Sequence, residues 1–124
     1  MSPESAMHGV DKAGTELAER FRAVMAQYPE APVRNTFGSP CAYVNGNMAV
    51  GVHGQGWFVR LDPAGTAELE AAGGQPFMPM AGRPMTGYTV LPGSILDDDA
   101  QRDRWIGRSL AYVATLPPKA TAKK

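Results

Sequence analysis

The chain is poor in the residue types that build most catalytic and metal sites. It has one cysteine, Cys41, and two histidines, His8 and His53, among 124 residues. A single cysteine excludes an internal disulfide and any multi-cysteine metal site. No His-x-x-x-His or Cys-x-x-Cys spacing occurs, whereas a zinc site draws on three or four suitably placed ligands. Neither sign of charge is in excess: twelve basic and twelve acidic residues leave a net charge of zero. That disfavours nucleic acid as a primary partner, because such binding rests on neutralising phosphates with a basic surface. No apolar run approaches the ~20 residues of a membrane span. Met1 to Val10 has neither the charged nor the apolar region of a secretory leader. The expectation is a cytoplasmic protein without membrane association.

The glycines do not build a phosphate cradle. Neither Gly-x-x-x-x-Gly-Lys nor Gly-x-Gly-x-x-Gly occurs between a strand and a helix, and Gly54-Gln55-Gly56 reads as a chain reversal. With 14 glycines and 11 prolines the chain is rich in turns, yet 44% of it is hydrophobic, enough for a core. One domain is expected over residues 14–119, with an aperiodic segment over 1–13 and a polar tail over 120–124.

Local patterns place the elements. Leu17, Phe21, Val24, Met25 and Tyr28 recur at helical spacing after a capping Thr15, and Pro29 ends that helix. Asn45-Gly46 between Cys41–Val44 and Asn47–Val52 is a strong hairpin signal, because both turn residues need positive φ. A two-residue loop there sets Val44 opposite Asn47, Tyr43 opposite Met48 and Cys41 opposite Val50. Trp57–Leu61 is a third strand. Asp62-Pro63 caps and opens a short helix that stops at Gly73-Gly74. Pro76–Met80 reads as an extended edge segment, and Gly87–Leu91 as a fifth strand. The last helix starts in the acids Asp97, Asp98 and Asp99, and buries Trp105, Ile106, Leu110 and Val113.

The expected fold is therefore α+β: a two-layer domain with a five-stranded, mainly antiparallel sheet and helices on one face, in the order α-β-β-β-α-β-β-α. On this register Tyr43, Met48, Val50, Val52, Trp57, Val59 and Leu61 face the helices. Ala42, Ala49, Gly51, His53, Phe58 and Arg60 face away. A three-residue second turn would swap the faces of the third strand.

Reactive groups do not pair on this plan. Cys41 and His53 form the one conceivable nucleophile and base, but sheet parity sets them on opposite faces. Cys41 is read as a small buried apolar side chain. Asp97, Asp98, Asp99 and Asp103 read as a helix N-terminus, since the spacing and closing glutamate of a calcium loop are absent. No catalytic residue, metal ligand or cofactor is predicted. The far sheet face carries the residues suited to recognition: Phe58 and Arg60 as interface anchors, with His53 beside them, and Arg83 held in a rigid proline turn.

A series of segments also resembles a known family. Arg34-Asn35-Thr36-Phe37-Gly38, Val44-Asn45-Gly46-Asn47-Met48, Gly51-Val52 and Val59-Arg60-Leu61 are followed by Pro76-Phe77-Met78-Pro79-Met80 and Gly82-Arg83-Pro84-Met85. Tyr88, Leu91-Pro92, Trp105 and Leu116-Pro117-Pro118-Lys119 complete the series. Their order resembles the N-terminal domain of the bacterial competence regulator TfoX, also called Sxy, over roughly residues 15 to 119. Thr36 and Ser39 depart from the family's usual Met-Phe-Gly-Gly. The resemblance implies a two-layer α+β fold with an antiparallel sheet. It also implies a link to regulation of DNA uptake in full-length members, which carry a second, C-terminal domain, and it offers no catalytic residues to transfer.

Three functions follow as expectations. The first is a non-catalytic regulatory or protein-interaction domain, with a protein partner or self-association through Phe58, Arg60, Arg83 and His53. The second is a small-molecule binder or enzyme with Arg60, His53 and Trp57 around a pocket. The third is a nucleic-acid-associated regulator using Arg102, Arg104 and Arg108.

Overall fold

A computed structural model describes residues 9–36, 39–53, 56–78 and 85–118. The element order is α1 (Gly9–Met25), β1 (Val33–Thr36), β2 (Ser39–Val44), β3 (Asn47–His53), β4 (Gly56–Arg60) and α2 (Pro63–Ala71). Then come β5 (Gln75–Pro76), β6 (Tyr88–Val90), α3 (Gly93–Leu96) and α4 (Asp99–Ala114). The strands form one antiparallel sheet of six, in the order β1-β2-β3-β4-β6-β5.

The α+β architecture is the expected one, with one more strand. Val33–Thr36 pairs with Pro40, Cys41 and their neighbours to add β1 at the edge. Its apolar content is too low for periodicity to reveal it, and pairing with a distant strand supplies what local propensity does not. The first helix begins at Gly9, ahead of the expected Thr15 cap. No proline stands between Gly9 and Pro29, so nothing in the chain halts the helix earlier. Of the expected edge segment Pro76–Met80, the assigned strand is Gln75–Pro76, Phe77 follows with its N–H on the Tyr88 carbonyl, and Pro79 and Met80 lie outside the described residues.

Turn and cap chemistry acts as the sequence predicts. Asn45 and Gly46 have φ of 53° and 82°, and Tyr43 faces Met48 across that hairpin. Asp62 caps α2 by accepting a hydrogen bond from the Gly65 N–H at 2.7 Å, with Pro63 at the first position. Asp98 caps α4 by accepting from the Gln101 N–H at 3.1 Å.

The main core lies between the sheet and the helices. Phe21, Val24 and Met25 of α1, Leu69 of α2, Ile95 and Leu96 of α3, and Trp105, Ile106, Leu110 and Val113 of α4 all enter it. From the sheet come Ala42, Val44, Ala49, Val50, Val52, Trp57 and Val59. Trp57 is fully buried there, with Phe21 edge-on at 5.1 Å and the Arg102 guanidinium 5.8 Å from its ring centre.

One irregularity decides what the other face presents. Tyr43 pairs with Met48, but Ala42 pairs with Val50 and Cys41 with Gly51, so Ala49 is an extra residue in β3. This is a β-bulge: it places Ala49 and Val50 consecutively on the helix side. Five assignments are corrected by it. Tyr43 and Met48 turn away from the helices, and Ala42 and Ala49 turn toward them. Cys41 likewise shares the face of Gly51 and His53 rather than that of Val50. At the bulge the buried Ser109 hydroxyl of α4 donates to the Ala49 carbonyl at 3.1 Å.

Candidate interaction surface

The sheet face away from the helices has its own small apolar cluster. Cys41, Phe58, Phe77 and Tyr88 are buried in it, with Tyr43, Met48, Met85 and Val90 packed around. Phe77 stacks on Phe58 with ring centres 4.1 Å apart and an interplanar angle of 13°. The backbone clamps it there: the Phe77 N–H donates to the Tyr88 carbonyl at 3.1 Å, and the Met85 N–H to the Phe77 carbonyl at 2.8 Å. His53 meets the edge of the Phe77 ring at 5.3 Å and is itself exposed. Below the rings position 51 must be glycine, because a Cβ there would lie 2.5 Å from Phe58 Cζ and 2.8 Å from Cys41 Sγ.

Two tyrosines on this face carry arginines. Arg34 of β1 lies with its guanidinium carbon 4.2 Å from the Tyr43 ring centre, and Arg60 of β4 lies 5.4 Å from that of Tyr88. Both are cation–π distances. The Tyr88 hydroxyl donates to the Met48 carbonyl at 3.0 Å, which anchors the ring across the sheet. Burial pushes the Tyr88 phenol above its ordinary pKa, and the charge of Arg60 opposes that rise.

These two arginines differ from three on the helix side that are ion-paired. Arg20 pairs with Asp97, Arg102 with Asp99 and Asp103, and Arg108 with Glu68. Among the described residues Arg34 and Arg60 have no carboxylate within ion-pair distance. The cause is compositional: no strand contains an Asp or Glu, and the acids lie in the helices and their connections. A chain of zero net charge thus presents a positive sheet face.

The expected site residues fall as follows. Arg60 and His53 are on the far face. Phe58 is there too, but Phe77 covers it and leaves it 2% exposed, so it is a packing residue and not a surface anchor. Arg83 lies outside the described residues. Trp57 is on the opposite face, so Arg60, His53 and Trp57 line no common pocket. Arg102 is buried and held by two aspartates, and Arg108 by Glu68, which leaves Arg104 exposed and without an ion pair in that helix. Cys41 and His53 share a face after all, yet Cys41 is buried and His53 is exposed with its ring against Phe77.

Sequence reasoning missed Arg34, Tyr43 and Tyr88. The bulge hid Tyr43, and the unrecognised β1 hid Arg34; Val33–Thr36 after Pro32 was the available signal. Beside the face a shallow cleft of about 450 Å³ opens where β4 ends, bordered by Arg60, Thr66, Glu70, Gly87 and Tyr112. Among the described residues no helix is long and apolar enough to cross a membrane.

Comparison with curated proteins finds no match. The family model of the TfoX N-terminal domain matches residues 23–113, a span that runs from α1 through the whole sheet into the last turn of α4. The match covers most of the chain, which therefore belongs to the TfoX N-terminal domain family.

Proposed function

We propose that this chain is a non-catalytic regulatory domain that acts by docking a protein partner on the sheet face away from the helices. The observation that carries the reading is the pair Arg34 and Arg60, spread over Tyr43 and Tyr88 without a carboxylate partner. An arginine over an aromatic ring still has N–H donors to offer an incoming group, Arg60 beyond its bond to the Tyr88 phenol included, and arginine is enriched among the residues that dominate binding energy at interfaces. Met78, 51% exposed and next to Phe77 in the chain, adds an adaptable apolar contact.

Self-association through this same face is the weaker reading. A two-fold contact would set arginines against arginines with no acid in the strands to offset them.

The test is native mass spectrometry of the chain recovered from its source cells. A protein adduct should be present on the unmodified chain and on Arg104→Glu, and lost from the double variant Arg34→Glu/Arg60→Glu. Circular dichroism must show that the double variant is folded. An adduct that survives the double variant contradicts the assignment.

A further inference from the structure

We infer that the partner offers an extended acidic segment laid across the strands, with carboxylates at i and i+4, on one side of the segment, and an apolar residue at i+2 between them. This rests on the reading of the face as a docking surface and adds the chemistry of what docks.

Charge complementarity is the first argument. Among the described residues the only Lys, Arg, Asp or Glu contributed by strands are Arg34 and Arg60, with an exposed His53 at the end of β3. Their guanidinium groups rest on rings rather than on acids. A carboxylate meets such a fork in a bidentate, charge-assisted pair.

Spacing is the second. Arg34 is on β1 and Arg60 on β4, three strand positions apart in the sheet order. At about 4.8 Å per strand that is roughly 14 Å across the sheet; Arg60 also lies two residues along β4 from Phe58, the residue in register with Arg34, so the two Cα atoms are roughly 16 Å apart. Residues i and i+4 of an extended chain are about 13 Å apart and point to the same side. Between the two arginines the floor is Tyr43 and Met48, which suits an apolar residue at i+2.

The rings argue against a nucleic-acid strand. Base stacking needs open aromatic faces. Here Phe58, Phe77 and Tyr88 are 2%, 5% and 8% exposed, because they pack on one another. Two arginines also neutralise too few phosphates for appreciable affinity.

The experiment uses the full chain and a synthetic peptide of the repeat Glu-Ser-Val-Ser, which sets Glu at i and i+4 and Val at i+2 on one side, with a Gln-Ser-Val-Ser peptide and oligothymidylate as comparators. Binding is read by NMR on the arginine Nε–Hε signals and the Met48 methyl. The glutamate peptide should bind about tenfold or more tightly than the glutamine peptide, as two exposed ion pairs would give. The difference should vanish in ~1 M salt, where the screening length is ~3 Å. It should also vanish in Arg34→Glu/Arg60→Glu. Equal binding of the two peptides, undiminished binding to the double variant, or tighter binding of oligothymidylate overturns the inference. If it fails while the cellular adduct is still lost from the double variant, the surface stands and the acidic chemistry falls. If the adduct also persists, the docking surface falls with it.

Discussion

The Ser109 hydroxyl of α4 donates a hydrogen bond to the Ala49 carbonyl of β3, 3.1 Å away in the core. That contact holds the bulge, and the bulge turns Tyr43 and Met48 onto the far face. Ser109→Ala leaves a buried carbonyl without its donor, which costs about 1–3 kcal/mol. Denaturant unfolding should show that loss, and Ser109→Thr, which keeps the hydroxyl, should lose less than the alanine variant if its extra methyl is accommodated.

Thr89 gives the opposite sign. It is fully buried on the helix side of β6, and its hydroxyl has no hydrogen-bond partner among the described residues. Valine has nearly the same shape, suits a strand, and removes the unsatisfied group. Thr89→Val should stabilise by about 1 kcal/mol, and thermal unfolding should shift upward by about 4 °C.

Packing under the ring cluster has a simple probe. Gly51→Ala forces a methyl against Phe58 and the Cys41 sulfur, and overpacking of this kind typically costs about 1–3 kcal/mol. Displacing the Phe58–Phe77 stack also uncovers Cys41. The reaction of Cys41 with a thiol reagent should therefore be slow in the native chain and faster in Gly51→Ala under native conditions.

Titration sets limits at both ends of the pH range. Hydrogen bonds from Gln101 hold the Asp98 carboxyl below its ordinary value, and the bond from Arg108 does the same for Glu68. A lowered carboxyl pKa contributes stability above the unfolded value, near 4, and loses it as pH falls through the folded value. Arg108→Gln should make that acid-side loss shallower. Tyr88 is raised by burial, so its contribution is present below about 10, the ordinary phenol value, and is lost as pH rises through the folded value. Because Arg60 opposes the rise, Arg60→Gln should move the Tyr88 titration higher. The tyrosinate absorbance of each protein, compared with its Tyr88→Phe version, measures it.

Much of the fold was legible because it is written locally. Asn45-Gly46 fixed a hairpin, Asp62-Pro63 and Asp98 marked helix starts, and Trp105, Ile106, Leu110 and Val113 formed a stripe that is buried as predicted. What escaped depends on partners distant in sequence. The bulge at Ala49 is satisfied by a hydroxyl sixty residues away. Phe58 alternates correctly to the far face, but only Phe77, folded back over it, decides that it is buried. Of the candidate surface, Arg60 and His53 were visible from strand parity, while Arg34 needed β1 and Tyr43 needed the bulge.

Hydroxyl-radical footprinting of the complex recovered from cells tests the docking face most directly. Met78 is exposed and follows Phe77 of the ring cluster directly in the chain, Met48 is half-buried on the far face, and Tyr112 is half-buried on α4. Oxidation of Met78 and Met48 should slow in the complex relative to the isolated chain, with Tyr112 unchanged. Protection of Tyr112 with Met78 and Met48 oxidised at their free rates would place the partner on the helices and contradict the account.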